Sequence, residues 1–198
     1  MIRPRIYVDT NAHIPYYISD LFGFLAARSV IDLLWSEFLI AEILEVTERL
    51  YPNRPNVSAR ESQWAALRAA FPDGEVTEAE WRARLVDASG PDVDDHAHQA
   101  AALAGSAPIL VTSDGKGFPA SHLAQFGVRV LTPDGILVEL LEEDPLRVAE
   151  TLLSRCRQFR RPPTTIDGYL QTLSRTAPRF ADEAAELCGR SRRRDRPR

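Results

Sequence analysis

Two short apolar runs far apart in the chain, Ile6-Tyr7-Val8 and Ile109-Leu110-Val111, have the β-branched and aromatic make-up of buried strands. Helical patterns alternate with them, which predicts an α/β fold built on a parallel sheet. In such a sheet the carboxyl ends of the strands open into the ligand crevice. Asp9 directly follows the first run, and Asp114 follows Ile109-Leu110-Val111-Thr112-Ser113. Two acids from opposite halves of the chain are therefore expected to converge, which suggests a metal site.

Along the chain, Leu21 through Trp35 reads as an apolar helix, and Ser36 as the N-cap of a helix from Glu37 to Leu50 closed by Pro52 and Pro55. Ser58-Ala59-Arg60-Glu61 and Thr77-Glu78-Ala79-Glu80 fit the capping box, so two further helices are predicted there, with a minor strand at Glu75-Val76. Acids from Asp92 to Asp95 open an alanine-rich helix ending near Gly105. Strand 109 to 112, a short helix from Ala120 to Phe126 and strand Val128 to Leu131 complete the α/β part. Beyond Pro133 the pattern is helical only: helices start at Asp134 and at Asp144-Pro145, stop at Pro162-Pro163, resume after Thr165 and break at Pro178. The expected organisation is residues 1–139 as the α/β domain, 140–189 as a helical C-terminal appendage and 190–198 as a basic disordered tail.

The net charge of −4 hides an asymmetry. The segment from Arg190 to Arg198 carries six arginines and one aspartate, and removing that +5 leaves −9 on the rest. Such a tail could track phosphates or be a solvated end. No run approaches the roughly 20 apolar residues of a membrane span, and the chain starts directly into a strand, so a cytoplasmic protein is expected. Cys156 and Cys188 lack the number and spacing of a disulfide framework or a metal motif and read as packing residues. Trp35, Trp64 and Trp81 also read as core.

Each acidic position has a purely structural reading beside the functional one. Asp9 could simply cap the helix after its strand. On the helix containing Leu39, Ile40, Ile43 and Leu44, at about 100° per residue, Glu45 lies about 180° from the apolar face and Glu42 about 120° from it. Glu45 then faces solvent, while Glu42 and Glu48 lie on the margins, where a carboxylate can reach a crevice. Asp92, Asp94 and Asp95 exceed what a helix dipole needs from one acid, and their mutual repulsion favours a nearby cation. Asp114-Gly115 is also an ordinary turn dipeptide. Oxygen-only ligands without histidine or cysteine select hard ions such as Mg²⁺ or Mn²⁺. His96 and His98, two apart on a helix, do not make a zinc pair, and Gly115-Lys116-Gly117 lacks the spacing of a phosphate loop.

Tyr7-Val8-Asp9-Thr10-Asn11, Trp35-Ser36-Glu37 with Glu42, Asp92-Val93-Asp94-Asp95-His96, and Val111-Thr112-Ser113-Asp114 with Lys116, Phe118 and Pro119, taken in this order, resemble PIN-domain ribonucleases. Specifically they resemble VapC-type toxins of toxin-antitoxin pairs with a helical C-terminal extension, to which Asp144-Pro145-Leu146, Arg161-Pro162-Pro163 and Pro178-Arg179-Phe180 are also similar. The resemblance implies a PIN-like parallel sheet and an endoribonuclease using Mg²⁺ or Mn²⁺. It makes Asp9 the first-strand ligand, Glu42 the helix ligand, Asp95 or Asp94 the ligand opening the alanine-rich helix, and Asp114 the fourth acid, at a position where this branch often has asparagine. Thr10, Asn11, Thr112 and Ser113 would orient carboxylates or contact phosphate. An activated water would attack in line, with a second ion or Lys116 stabilising charge and no protein nucleophile. The implied partners are RNA, a small antitoxin covering the helical surface and a second copy of the chain, with no membrane; RNA would be held by Arg3, Arg5, Lys116 or the tail.

Two alternatives stand beside this. A phosphatase of the haloacid dehalogenase type also uses a strand-end Asp but wants a second acid two residues later, where this chain has Asn11. A catalytically inactive PIN scaffold that binds RNA or a protein is the other.

Overall fold

The computed structural model describes residues 3–52, 56–161 and 163–194. β1 (Arg5–Val8), β2 (Asp32–Leu34), β3 (Ile109–Val111) and β4 (Arg129–Leu131) form one sheet in the order β2-β1-β3-β4, every pairing parallel. Ile6, Tyr7 and Val8 in β1 and Leu110 and Val111 in β3 have no exposed surface. Both faces of the sheet are covered, the usual consequence of helical crossovers. α1 (Thr10–His13) and α2 (Tyr16–Ala27) link β1 to β2. α3 (Glu37–Leu50), α4 (Asn56–Ala70), α5 (Glu78–Ala83) and α6 (His96–Ala104) form the long return to β3, and α7 (Ala120–Leu123) leads to β4. α8 (Pro133–Glu143), α9 (Pro145–Cys156), α10 (Ile166–Leu173) and α11 (Pro178–Arg194) follow, with no strand among the described residues after β4.

One predicted helix is overturned. Leu21 to Trp35 is the second half of α2 followed by β2, because Ser29 takes a left-handed φ of 56° and the Val30 amide bonds back to Leu25. Asp32, Leu33 and Leu34 then pair with Arg5, Ile6 and Tyr7. A strand buried on both faces shows no period-2 alternation, so its apolar run reads like more helix.

The predicted helix starts fare unevenly. Ser58 lies inside α4, which already begins at Asn56, so its capping box does not form. Thr77 does start α5, and the Glu80 carboxylate accepts both its amide (2.8 Å) and its hydroxyl (2.7 Å). α8 is capped by Thr132, not by Asp134; the Asp134 carboxylate instead accepts the Phe180 amide at 3.0 Å, tying the start of α11 to α8. Ser36 and Asp144 cap α3 and α9 as expected. The minor strand at Glu75-Val76 is a single parallel bridge from Glu75 to Trp35.

The C-terminal helices share the core with the sheet layer. α9 packs on α2 and α11 on α8. Arg155 of α9 grips Asp20 of α2 through two bonds of 2.7 and 2.9 Å, its guanidinium held 4.5 Å from the Phe24 ring and 4.4 Å from the Phe159 ring. Trp35, Trp64, Trp81, Cys156 and Cys188 are all buried. α8 runs through residues 139 and 140. α11 continues to Arg194, and residues 195–198 of the basic end lie outside the described residues. No helix among the described residues is long and apolar enough to cross a membrane.

Candidate active site

The chain runs from β1 outward to β2 on one side of the sheet and from β3 to β4 on the other, so the crevice between the carboxyl ends of β1 and β3 is the switch point of this topology. Asp9 stands there. Its amide extends the pairing to the Val111 carbonyl at 2.8 Å. The residue is 2% exposed, with Oδ1 accepting the Thr10 amide at 2.6 Å and Oδ2 accepting the Thr112 hydroxyl at 2.9 Å. Asp9 thus caps α1 and also faces the crevice. Burial raises its carboxyl above the ordinary value against the opposing pull of His98, Thr112 and Thr10.

The end of β3 is laced to the end of β1. Asn11 accepts the Ser113 amide at 2.7 Å and donates to the Thr112 hydroxyl at 3.1 Å. The Asp114 amide donates to the same hydroxyl at 3.0 Å. Thr112 and Asn11 therefore hold Asp9 and the 112–116 turn in fixed relation. The Asp114 side chain is exposed and accepts the Lys116 amide at 3.0 Å, the turn role that its sequence neighbours suggest.

Glu42 comes from α3. Its Oε2 accepts the hydroxyl of Thr10 and, at 2.7 Å, Nε2 of His98 on α6, whose ring is 2% exposed. The same nitrogen lies 3.6 Å from Asp9 Oδ1. Behind it, Nδ1 is 3.0 Å from the Tyr7 hydroxyl in the middle of β1, which also meets the side chain of Ser36, the N-cap of α3. In the neutral ring Tyr7 donates to Nδ1; in the imidazolium Nδ1 donates to Tyr7. Either way Nε2–H points at Glu42. Burial opposes the charged ring, but the bond to Glu42 and the charges of Asp9, Glu42 and Asp95 outweigh it and raise His98. Burial would likewise raise Glu42, yet the bond and charge of His98, with Thr10, hold it below its ordinary value.

Asp95 precedes α6 and lines the same groove of about 400 Å³ as Asp9, Thr10, Asn11 and Glu42. Burial and the nearby charges of Asp9 and Asp92 push its carboxyl up to about 6, with Asp114 adding to the effect and His98 opposing it. A Cβ on Gly117 would collide with its Oδ2, so the carboxylate rests in the space that a glycine leaves. Gln99 pins the Gly117 carbonyl at 2.9 Å. Asp94 is exposed, and its amide turns to Asp92. The structure therefore brings Asp9, Glu42 and Asp95 together and leaves Asp94 outside. Arg3 and Arg5 lie at the opposite end of β1 from Asp9, and Arg3 pairs with Asp32 at 3.3 Å, which removes both from the groove.

Among the described residues no three His, Cys, Asp or Glu side chains close into a cluster that could hold an ion as they stand. The donor set nevertheless fits a hard divalent cation. It is carboxylate, hydroxyl and carboxamide oxygen, and Asp95, raised first by burial and then by the charges of Asp9 and Asp92, is a group whose ionised form such a cation would favour.

His98, Tyr7, Gly117 and the Asp20–Arg155 pair are the functional-site and anchoring residues that sequence reasoning missed. The spacing of His96 and His98 excluded a zinc pair and said nothing about a carboxylate across the crevice. Only Gly117 left a signal, as the second glycine of an otherwise unexplained Gly-Lys-Gly.

Residues 133–186 match the family model described as the VapC50 C-terminal domain. Over 125 residues, 63% of this chain and 74% of the relative, the sequence is 26% identical to the protein named "Putative ribonuclease VapC50" of Mycobacterium tuberculosis. No solved structure matches the chain. With the parallel sheet and its helical C-terminus, the resemblance to VapC-type PIN ribonucleases is borne out.

Proposed function

We propose that this chain, similar to VapC-type PIN ribonucleases along most of its length, is an endoribonuclease dependent on Mg²⁺ or Mn²⁺ and the toxin of a toxin-antitoxin pair. The observation that carries the reading is the convergence of Asp9, Glu42 and Asp95, from β1, α3 and the start of α6, on one groove at the switch point of the sheet.

Asp9, Glu42 and Asp95 would hold the ion, and Asp114 would add negative charge from the turn. When bound, the ion supplies Lewis acidity that acidifies water and neutralises phosphate oxygens. The remaining work belongs to the chain. Thr10 and His98 both act on Oε2 of Glu42, so Oε1 is the oxygen left for a ligand. Thr112 fixes one oxygen of Asp9. Lys116, exposed on the turn after β3, would offset charge gathering on the phosphate during in-line attack. Among the described groove-lining residues the nucleophile besides the carboxylates is the Thr10 hydroxyl, which is engaged in donating to Glu42. The cognate partner on this reading is a small antitoxin that covers the helical surface, and its charge would complement the acidic body.

The test is cleavage of a mixed single-stranded and hairpin RNA by the purified chain with Mn²⁺, with EDTA, and in Asp9→Asn, which retains a residue able to cap α1. Cleavage confined to wild type with metal is expected. Full activity of Asp9→Asn overturns the assignment, and inactivity of wild type with Mn²⁺ favours the inactive scaffold.

A further inference from the structure

The acidic groove poses an electrostatic problem for any polyanionic substrate. Among the described residues its charged lining consists of Asp9, Glu42 and Asp95, with one cation, Arg49. Glu42, Val46, Arg49 and Leu50 fall at helical spacings of four, three and one, so one face of α3 runs from the carboxylates to Arg49 along the groove, about 10 Å of helix. Arg49 is exposed and close enough to Glu42 that its charge helps to keep that carboxyl low. Between and beside these charges the wall is apolar: Ile14, Val46 and Leu50 line it, and Leu50 is 52% exposed, an aliphatic side chain left uncovered next to a guanidinium.

We infer that Arg49 is a substrate-binding residue that takes a backbone phosphate of single-stranded RNA neighbouring the scissile one, with the Ile14–Val46–Leu50 wall receiving the nucleoside between them. The inference rests on the ribonuclease reading. A guanidinium fork matches two phosphate oxygens, and a second phosphate-binding point fixes the strand's direction across the carboxylates, which a single ion cannot do. The competing role is purely structural: Arg49 lies in the last turn of α3, where a cation complements the helix dipole.

Binding of a fluorescein-labelled oligouridylate to the full chain, with Ca²⁺ present to fill the carboxylates without supporting cleavage, separates these roles. Arg49→Ala is expected to bind on the order of tenfold more weakly, as for a lost bond to a charged group. It should also lower the slope of log affinity against log salt by about 0.7, the value for one contact to a single strand. Arg49→Lys should recover most of that slope, and Mn²⁺ affinity measured by calorimetry should stay within about twofold of wild type in both. An Arg49→Ala protein with wild-type affinity and slope overturns the inference, as does one whose only change is a lower melting temperature. Wild type that neither binds nor cleaves RNA overturns the ribonuclease reading itself, whereas cleavage with an unaltered Arg49→Ala slope overturns only this inference.

Discussion

Nε2 of His98 lies 2.7 Å from Oε2 of Glu42, and the two residues are 56 positions apart in the chain. With Tyr7 behind it at 3.0 Å, the imidazole joins the central strand to the margin of α3 and sets which oxygen of Glu42 is free. Partners that orient a ligand typically contribute 10- to 100-fold in metal affinity or activity. His98→Leu is therefore expected to weaken Mn²⁺ binding by roughly that factor, and His98→Gln, which keeps an N–H donor, by less. Tyr7→Phe leaves the imidazole unsupported and should fall between wild type and His98→Leu. Calorimetric titration with Mn²⁺ checks the order; equal affinities would show that Glu42 needs no such support.

Gly117 sets the place of Asp95. Alanine there must displace the carboxylate, since a Cβ would overlap Oδ2, whereas a Cβ on Gly115 meets nothing within 4 Å. Gly117→Ala is expected to lose Mn²⁺ affinity and RNA cleavage about tenfold or more, and Gly115→Ala to retain both. Parallel metal titrations of the two variants decide it.

Asp95 also gives the metal-free protein a pH signature. Its folded value of about 6 lies above the ordinary 3.8, so the contribution to stability is fully present below 3.8 and is lost as pH rises through about 6. Thermal unfolding between pH 4 and 7 should show this loss, and Asp95→Asn should remove it. At pH 7 the variant should be more stable by about 1 kcal/mol, after discounting a partly exposed group for screening. The ionised form is the one that binds metal, so Mn²⁺ affinity should fall as pH drops through about 6. An Asp95→Asn curve parallel to wild type would refute the raised Asp95 carboxyl, whose main cause is burial, with the charges of Asp9 and Asp92 adding to it.

The C-terminal helices are expected to be part of the cooperative unit. Removing one partner of the largely buried Asp20–Arg155 pair leaves a charge without compensation. Arg155→Ala should cost about 3 kcal/mol, and replacing both residues with leucine considerably less. Urea midpoints of the three proteins test this; a small, separate transition in the Arg155→Ala protein would instead mean that α9–α11 unfold alone.

The extent to which the sequence announced these features follows from the range of the interactions involved. β1 and β3 were legible because a doubly buried strand is a short apolar run, and Ser36, Thr77 and Asp144 were legible because a cap is formed within a few residues. β2 was not, since its apolar residues continued those of α2 and only pairing with β1 separates them. Asp114 looked equivalent to Asp9 by position, and the two differ because Asp9 is buried against Thr112 while Asp114 faces solvent in its turn.

By itself the sequence determined the α/β class, the strand-end position of Asp9, the marginal placement of Glu42 on its helix and the surplus acid before α6. These are matters of local periodicity and composition. Tertiary structure decided that Asp95 and not Asp94 enters the groove, that His98 serves Glu42, that Gly117 makes room for Asp95 and that Arg49 lines the groove beside these acids. Each of those depends on side chains brought together across the switch point, where distance through space, burial and charge act without regard to separation along the chain.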